Sequence, residues 1–181
     1  RCSISSRASG SNATIAENLR AIRARIDAAA RRAGRDPAAI TLVAVSKTFG
    51  ADAVREAHAA GQLDFGENKV QEALQKVAAT ADIDVRWHLI GHVQSNKAKK
   101  AAGPFAWIHS VDSVDLLHRL DRAAADEGAS PQILVQVDLA GESTKFGAPP
   151  DEARRIAEAA AKANAVRLAG LMLMPPWNED Q

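Results

Sequence analysis

The first residue able to do chemistry is a lysine that closes an apolar run, Ile40-Thr41-Leu42-Val43-Ala44-Val45-Ser46-Lys47. The run is too short for a typical helix and rich in β-branched residues, so it predicts a strand buried on both faces, as in parallel sheets. Lys47 then stands at the strand's C-terminal end, the edge where barrels and open α/β sheets bind ligands. Partial burial there disfavours the ammonium form, lowers the pKa and frees the lone pair for attack on an aldehyde. The plainer alternative is a strand-end lysine snorkelling into water.

Other polar residues fall at comparable places. The ends of successive predicted strands carry Glu67 and Asn68, then His88 to Gln94, then His109 and Asp112, then Asp138 and Glu142, then Met172 and Met174. In a parallel sheet all of them lie at one end, and an amine, amides, imidazoles and carboxylates converging on one mouth mark a ligand site. His88 and His92 have the four-residue spacing of helical zinc ligands, but Ile90-Gly91 reads as a strand end and no Glu follows His88, which argues against a metal. Gln94-Ser95-Asn96-Lys97 opens a predicted helix whose free N–H groups, with Lys97, can hold an anion such as phosphate. A capped surface helix with Lys97, Lys99 and Lys100 in water is the competing reading. Neither G-x-G-x-x-G nor G-x-x-x-x-G-K occurs, which weakens a dinucleotide fold.

The elements that must position these residues alternate. Residues 1–13 are rich in Ser and Arg, lack acidic residues and periodicity, and are expected to form a disordered arm; Ser11-Asn12-Ala13 resembles a cloning remnant. From Thr14, with Glu17 three residues on, Ile15, Leu19, Ile22 and Ile26 mark a helix that stops near Gly34. After the Lys47 strand come helix 51–60, strand 63–65, helix 70–79, strand 85–90, helix 94–101, strand 106–109, helix 114–125, strand 133–139, helix 151–163 and strand 166–172. Such alternation with short turns means βαβ crossovers and a parallel sheet. Six units make either an open doubly wound sheet or most of an eight-stranded barrel of TIM type, which usually takes about 250 residues. We expect residues 14–181 to be a single (β/α) barrel domain, incomplete at its C-terminal side.

Bulk properties narrow the function. At 181 residues, 46% hydrophobic and 25% charged, the chain supports one sizeable core, and a formal charge of +1 gives no basic field for nucleic acid or membrane. Cys2 is the only cysteine, so intrachain disulfides and cysteine-rich metal sites are excluded, and a reducing compartment, the cytoplasm, is expected. No stretch approaches the roughly 20 apolar residues of a spanning helix.

Several blocks together carry a family resemblance: Ala44-Val45-Ser46-Lys47-Thr48; Phe65-Gly66-Glu67-Asn68 with Gln71-Glu72; Trp87-His88-Leu89-Ile90-Gly91 with Gln94-Ser95-Asn96-Lys97; Lys145-Phe146-Gly147; and Gly170-Leu171-Met172. Their order and spacing resemble the pyridoxal phosphate homeostasis protein family from about Ile15 to Pro176. The block around His88 is the specific one, and Leu89 replaces a bulkier family residue. The resemblance implies a barrel like the N-terminal domain of alanine racemase, with pyridoxal 5′-phosphate held as a Schiff base on Lys47. It also implies that Asn68 lines the cofactor pocket, with His88, Gln94 and Asn96 near the mouth and Met172 on the sixth strand. The family's phosphate-gripping residues belong to seventh and eighth units, which have no counterpart before Gln181.

The expected function is therefore a carrier that buffers pyridoxal phosphate, regulates vitamin B6 and amino-acid balance, and hands the cofactor to apo-enzymes, as a monomer or weak dimer. The alternative is a racemase or decarboxylase using the same chemistry, with His88 or His109 as second base. A racemase of the alanine racemase kind needs a tyrosine, and the chain has none. A cofactor-free interaction domain is a third, weaker reading.

Overall fold

The computed structural model describes residues 13–139 and 146–174. Its helices begin where the sequence supplies caps. Thr14 accepts from Glu17 N–H while the Glu17 carboxylate accepts from Thr14 N–H, closing a capping box at the head of α1 (Ile15–Arg32). The Ser113 hydroxyl accepts from Leu116 N–H and starts α5 (Val114–Asp126), whose apolar face of Leu116, Leu117, Leu120 and Ala124 is fully buried. Each leucine so placed contributes roughly 1.5–3 kcal/mol of burial. The remaining helices are α2 (Ala51–Ala59), α3 (Val70–Ala79), α4 (Ala98–Ala102) and α6 (Pro150–Ala160). At the end of α2 the chain turns through Gly61, whose φ of 86° would strain any residue with a side chain.

Six strands alternate with these helices: β1 (Ala44–Val45), β2 (Asp64–Glu67), β3 (Arg86–Leu89), β4 (Trp107–Val111), β5 (Gln132–Val137) and β6 (Arg167–Leu173). All neighbouring pairs are parallel, and their order in the sheet is their order in the chain. That order decides between the two architectures left open above. Parallel crossovers are right-handed, so strands added always on one side lay every helix on the same face, as in a barrel; a doubly wound sheet would reverse direction. One face accordingly carries Phe65, Leu89, Ile108 and Ile133, buried in a single core with residues of α1 to α6. The fold is six units of a (β/α) barrel.

Two expectations about strands need correction. The Ile40–Lys47 run is not a long strand buried on both faces: only Ala44 and Val45 are strand, and Val45 is 46% exposed. Among the described residues β1 pairs with β2 alone, and an edge strand has a neighbour on one side only. The strand expected over 133–139 ends at Val137, leaving Leu139 exposed. Apart from the segment expected to be helical over 94–101, the other predicted elements are present with ends shifted by a few residues.

A carboxylate fixes the approach to β6. Asp121 on α5 accepts N–H bonds from Asn164, Ala165 and Val166 at 3.0, 2.7 and 3.1 Å, and although burial opposes its charge, these bonds hold its pKa below the usual carboxylate value. Asp121→Ala should lower stability by about 2 kcal/mol, because three amides lose a charged acceptor; a urea midpoint unchanged from the parent would contradict this.

Candidate functional site

The site lies on the face that the helices leave uncovered. Register places Val45, Gly66, His88 and Trp107 in one row across the first four strands. Side chains alternate along a strand, so the next positions on this face toward the C-terminal edge are Lys47, Asn68 and His109. Gly66 lets neighbours close over the row: a Cβ there would lie 3.1 Å from Ile90 Cδ1 and 3.2 Å from Val43 Cγ1, so both side chains pack against its bare backbone. Gly91 does the same for the rim. Its Cβ would fall 2.1 Å from the Asn68 carbonyl oxygen, so only glycine lets the end of β3 pack against Asn68.

A chain of four polar side chains crosses this face. The Arg86 fork donates from Nε and a terminal nitrogen to the two Asp64 oxygens, at 2.8 and 2.7 Å. His88 Nε2 lies 3.0 Å from Asp64 Oδ1, and His88 Nδ1 lies 2.9 Å from His109 Nε2. The Trp107 ring stacks on His88, with interplanar angle 4° and centroids 5.7 Å apart.

The protonation states follow from the surroundings. Burial opposes charge on Asp64, yet the bonds from Arg86 and His88 hold its pKa below the usual value, so it is a carboxylate and accepts only. His88 therefore carries its proton on Nε2. Burial lowers the His88 pKa despite the nearby carboxylate, so the ring is neutral and Nδ1 is an acceptor. His109 must then donate from Nε2. Burial, and next the His88 neighbour, lower its pKa to about 4, which leaves His109 Nδ1 as a lone pair. A base this weak has little driving force for proton abstraction at neutral pH, so the pair suits hydrogen bonding better than the second-base role considered above.

The predicted site residues are only partly brought together. Lys47 is exposed in the turn after β1, which corrects the expected partial burial: among the described residues β1 has a strand neighbour on one side only. Asn68 is half-buried directly after β2, His88 is buried in β3, and Met172 is half-buried on β6, paired in register with Gln136. Gln94 and Asn96 are exposed on an outer turn, and Asn96 lines a groove of about 270 Å³ against α5. The helix expected over 94–101 is a 3-10 turn, Ser95–Lys97, followed by the five residues of α4. Lys97 N–H donates to the Gln94 carbonyl at 2.8 Å and closes this short turn. Glu67 is a further correction: it points to the helix-covered face and pairs with Lys76 of α3. Glu142 and Lys145 lie outside the described residues.

His88 and His92 do not converge. His92 Nδ1 faces Asp112 Oδ2 at 3.2 Å, and its ring stacks on Phe146 at 3.8 Å, forming a separate aromatic group at the rim. Among the described residues no cluster of three or more His, Cys, Asp or Glu side chains could hold a metal ion. Sequence reasoning missed Asp64, Arg86 and Trp107. The available signal was opposite charges at the starts of two successive predicted strands, which the register places side by side.

The imidazoles give a pH signature. The folded-state pKa of His109 lies below the unfolded value near 6.5. Above that value both states are neutral; as pH falls toward about 4 the unfolded chain takes up a proton that the folded chain refuses, and stability drops. With solvent screening of a half-buried ring, the loss is about 1–2 kcal/mol over this window. His109→Gln should flatten that part of the stability–pH profile, with His88 supplying what slope remains. Urea unfolding at a series of pH values checks this, and an unaltered profile would refute the assignment.

Comparison with known proteins places this chain in a family. Residues 18–181 match the family model of the alanine racemase N-terminal domain. The pyridoxal phosphate homeostasis protein of Pseudomonas aeruginosa is 48% identical over 162 residues, covering 90% of this chain and 70% of the relative. Its Escherichia coli K12 counterpart is 42% identical over 164 residues, covering 89% and 70%. Among solved structures, PipY of Synechococcus elongatus with pyridoxal phosphate bound superposes with a TM-score of 0.80 at 43% identity, covering 91% of this chain and 72% of PipY. Alanine racemase from Streptomyces coelicolor, at 24% identity and TM-score 0.64, shares the fold. In-order parallel strands, the Lys47 turn and these likenesses agree: the chain belongs to the pyridoxal phosphate homeostasis proteins within the alanine racemase N-terminal domain family.

Proposed function

We propose that this chain binds pyridoxal 5′-phosphate reversibly, with the Lys47 amine as the point of covalent attachment, and that it buffers and carries the cofactor without turning over a substrate. The observation that carries the reading is an exposed amine at the C-terminal end of β1, on a sheet face whose following strands present Asn68, His88 and His109. When bound, the cofactor supplies an aldehyde and an electron-withdrawing ring.

The residues present fit the aldehyde and ring end of that molecule. Lys47 offers an exposed amine, and the stacked His88 and Trp107 rings lie on the same sheet face. Asn68 and the His109 Nδ1 lone pair supply polar contacts near the Lys47 end, while the Arg86–Asp64 pair holds the two rings in one tautomer. Met172 offers an apolar contact from β6, and Gln94 and Asn96 belong to the outer rim. Release to apo-enzymes dependent on pyridoxal phosphate, in the cytoplasm and as a monomer or weak dimer, completes the proposal. No helix of the described residues is long and apolar enough to cross a membrane.

An amino-acid racemase or decarboxylase would need groups that move protons on both sides of the substrate. The chain has no tyrosine, and His88 and His109 both have lowered pKa values.

Two experiments test the reading. Lys47→Ala should abolish the borohydride-trappable adduct with pyridoxal phosphate while leaving circular dichroism and thermal midpoint near those of the parent, because an exposed turn lysine adds little packing. An adduct retained by this variant would move the attachment point to another lysine. Incubating the loaded protein with single L-amino acids, followed by chiral analysis, should show no inversion; sustained inversion would establish an enzyme instead.

A further inference from the structure

We propose that Glu67 and Lys76, a buried ion pair on the opposite face of the sheet, are positioning residues for Lys47 and act through Ser46. This rests on Lys47 as the attachment amine. β1 itself contributes only two residues of ladder, so the turn that follows is held by other bonds.

Ser46 is buried, and each of its polar groups is engaged. Its N–H donates to the Gly66 carbonyl at 3.0 Å, and its hydroxyl donates to Glu67 Oε1 at 2.6 Å. Its carbonyl accepts from Lys76 Nζ at 2.6 Å and from Phe49 N–H at 3.0 Å, the second bond closing the turn that contains Lys47. Lys76 Nζ also donates to Glu67 Oε1 at 2.6 Å, with the two side chains 12% and 0% exposed. One ion pair thus grips the hydroxyl and the carbonyl of the residue before Lys47.

Two further features favour a positioning role over simple packing of α3 on the sheet. Among the described residues the other Glu67 oxygen, Oε2, is buried without a hydrogen-bond partner, a cost beyond what packing of α3 requires. Thr48, directly after Lys47, has φ 71°, a left-handed conformation unusual for a β-branched residue and stable only where its surroundings over-determine it. Helix α3 already packs through buried Ala73 and partly buried Val70 and Val77, so it does not depend on Ser46.

The test uses the full chain with Ser46→Ala, which deletes the hydroxyl and leaves the ion pair, and in parallel Glu67→Gln combined with Lys76→Met, which replaces the pair by neutral groups. Thermal unfolding monitors the fold, hydrogen exchange reports the Phe49 amide, and borohydride trapping with mass spectrometry follows adduct formation at Lys47 with pyridoxal phosphate. At least one variant should fold like the parent, exchange the Phe49 amide faster, and form the Lys47 adduct about tenfold more slowly, as small misplacements of a reacting group do. Folded variants with parental exchange and parental adduct rate would overturn the proposal. Faster exchange with the adduct found on a different lysine in the parent would instead overturn the attachment reading, while the grip on the turn would stand.

Discussion

Because six parallel strands pair in chain order, each right-handed crossover lays its helix on the same side of the sheet, and the two faces acquire different roles. One is filled by Phe65, Leu89, Ile108 and Ile133 against the helices and supplies the apolar burial that holds the fold. The other is free to carry Arg86, Asp64, His88 and His109, groups that a two-sided apolar core would exclude. Every feature of the candidate site follows from which face a strand position takes.

On that second face the electrostatics are economical. A carboxylate without partners would be costly so far from water, but Asp64 receives the Arg86 fork and the His88 ring. Arg86 is half-exposed at the strand start, so one end of the pair stays hydrated. Beyond Asp64 the chain continues through two neutral rings and adds no further charge. Polarity is carried toward the open end as a fixed order of donors and acceptors, finishing in a lone pair on His109.

The edges of the sheet behave differently from its middle. Val45 on β1 and Leu168, Leu171 and Leu173 on β6 are exposed apolar residues on strands that have one neighbour among the described residues. In a closed barrel such positions are covered by adjacent strands. At the β1 edge, side-chain bonds from Glu67 and Lys76 reach Ser46 from the covered face of the sheet, next to the exposed Lys47.

Much of this was legible from residue order alone. Apolar periodicity and caps gave α1 and α5, short apolar runs between turn residues gave the sheet, and the blocks around Lys47, Asn68 and His88 gave the family. These signals are local, set by the repeat of a helix or strand and by residues adjacent in the chain. The choice between a barrel and a doubly wound sheet, the burial of Glu67 away from the mouth, and the Arg86–Asp64–His88–His109 chain came from strand order and register. Those are relations between segments far apart in sequence, and a shift of one residue in register would have sent each of these side chains to the other face.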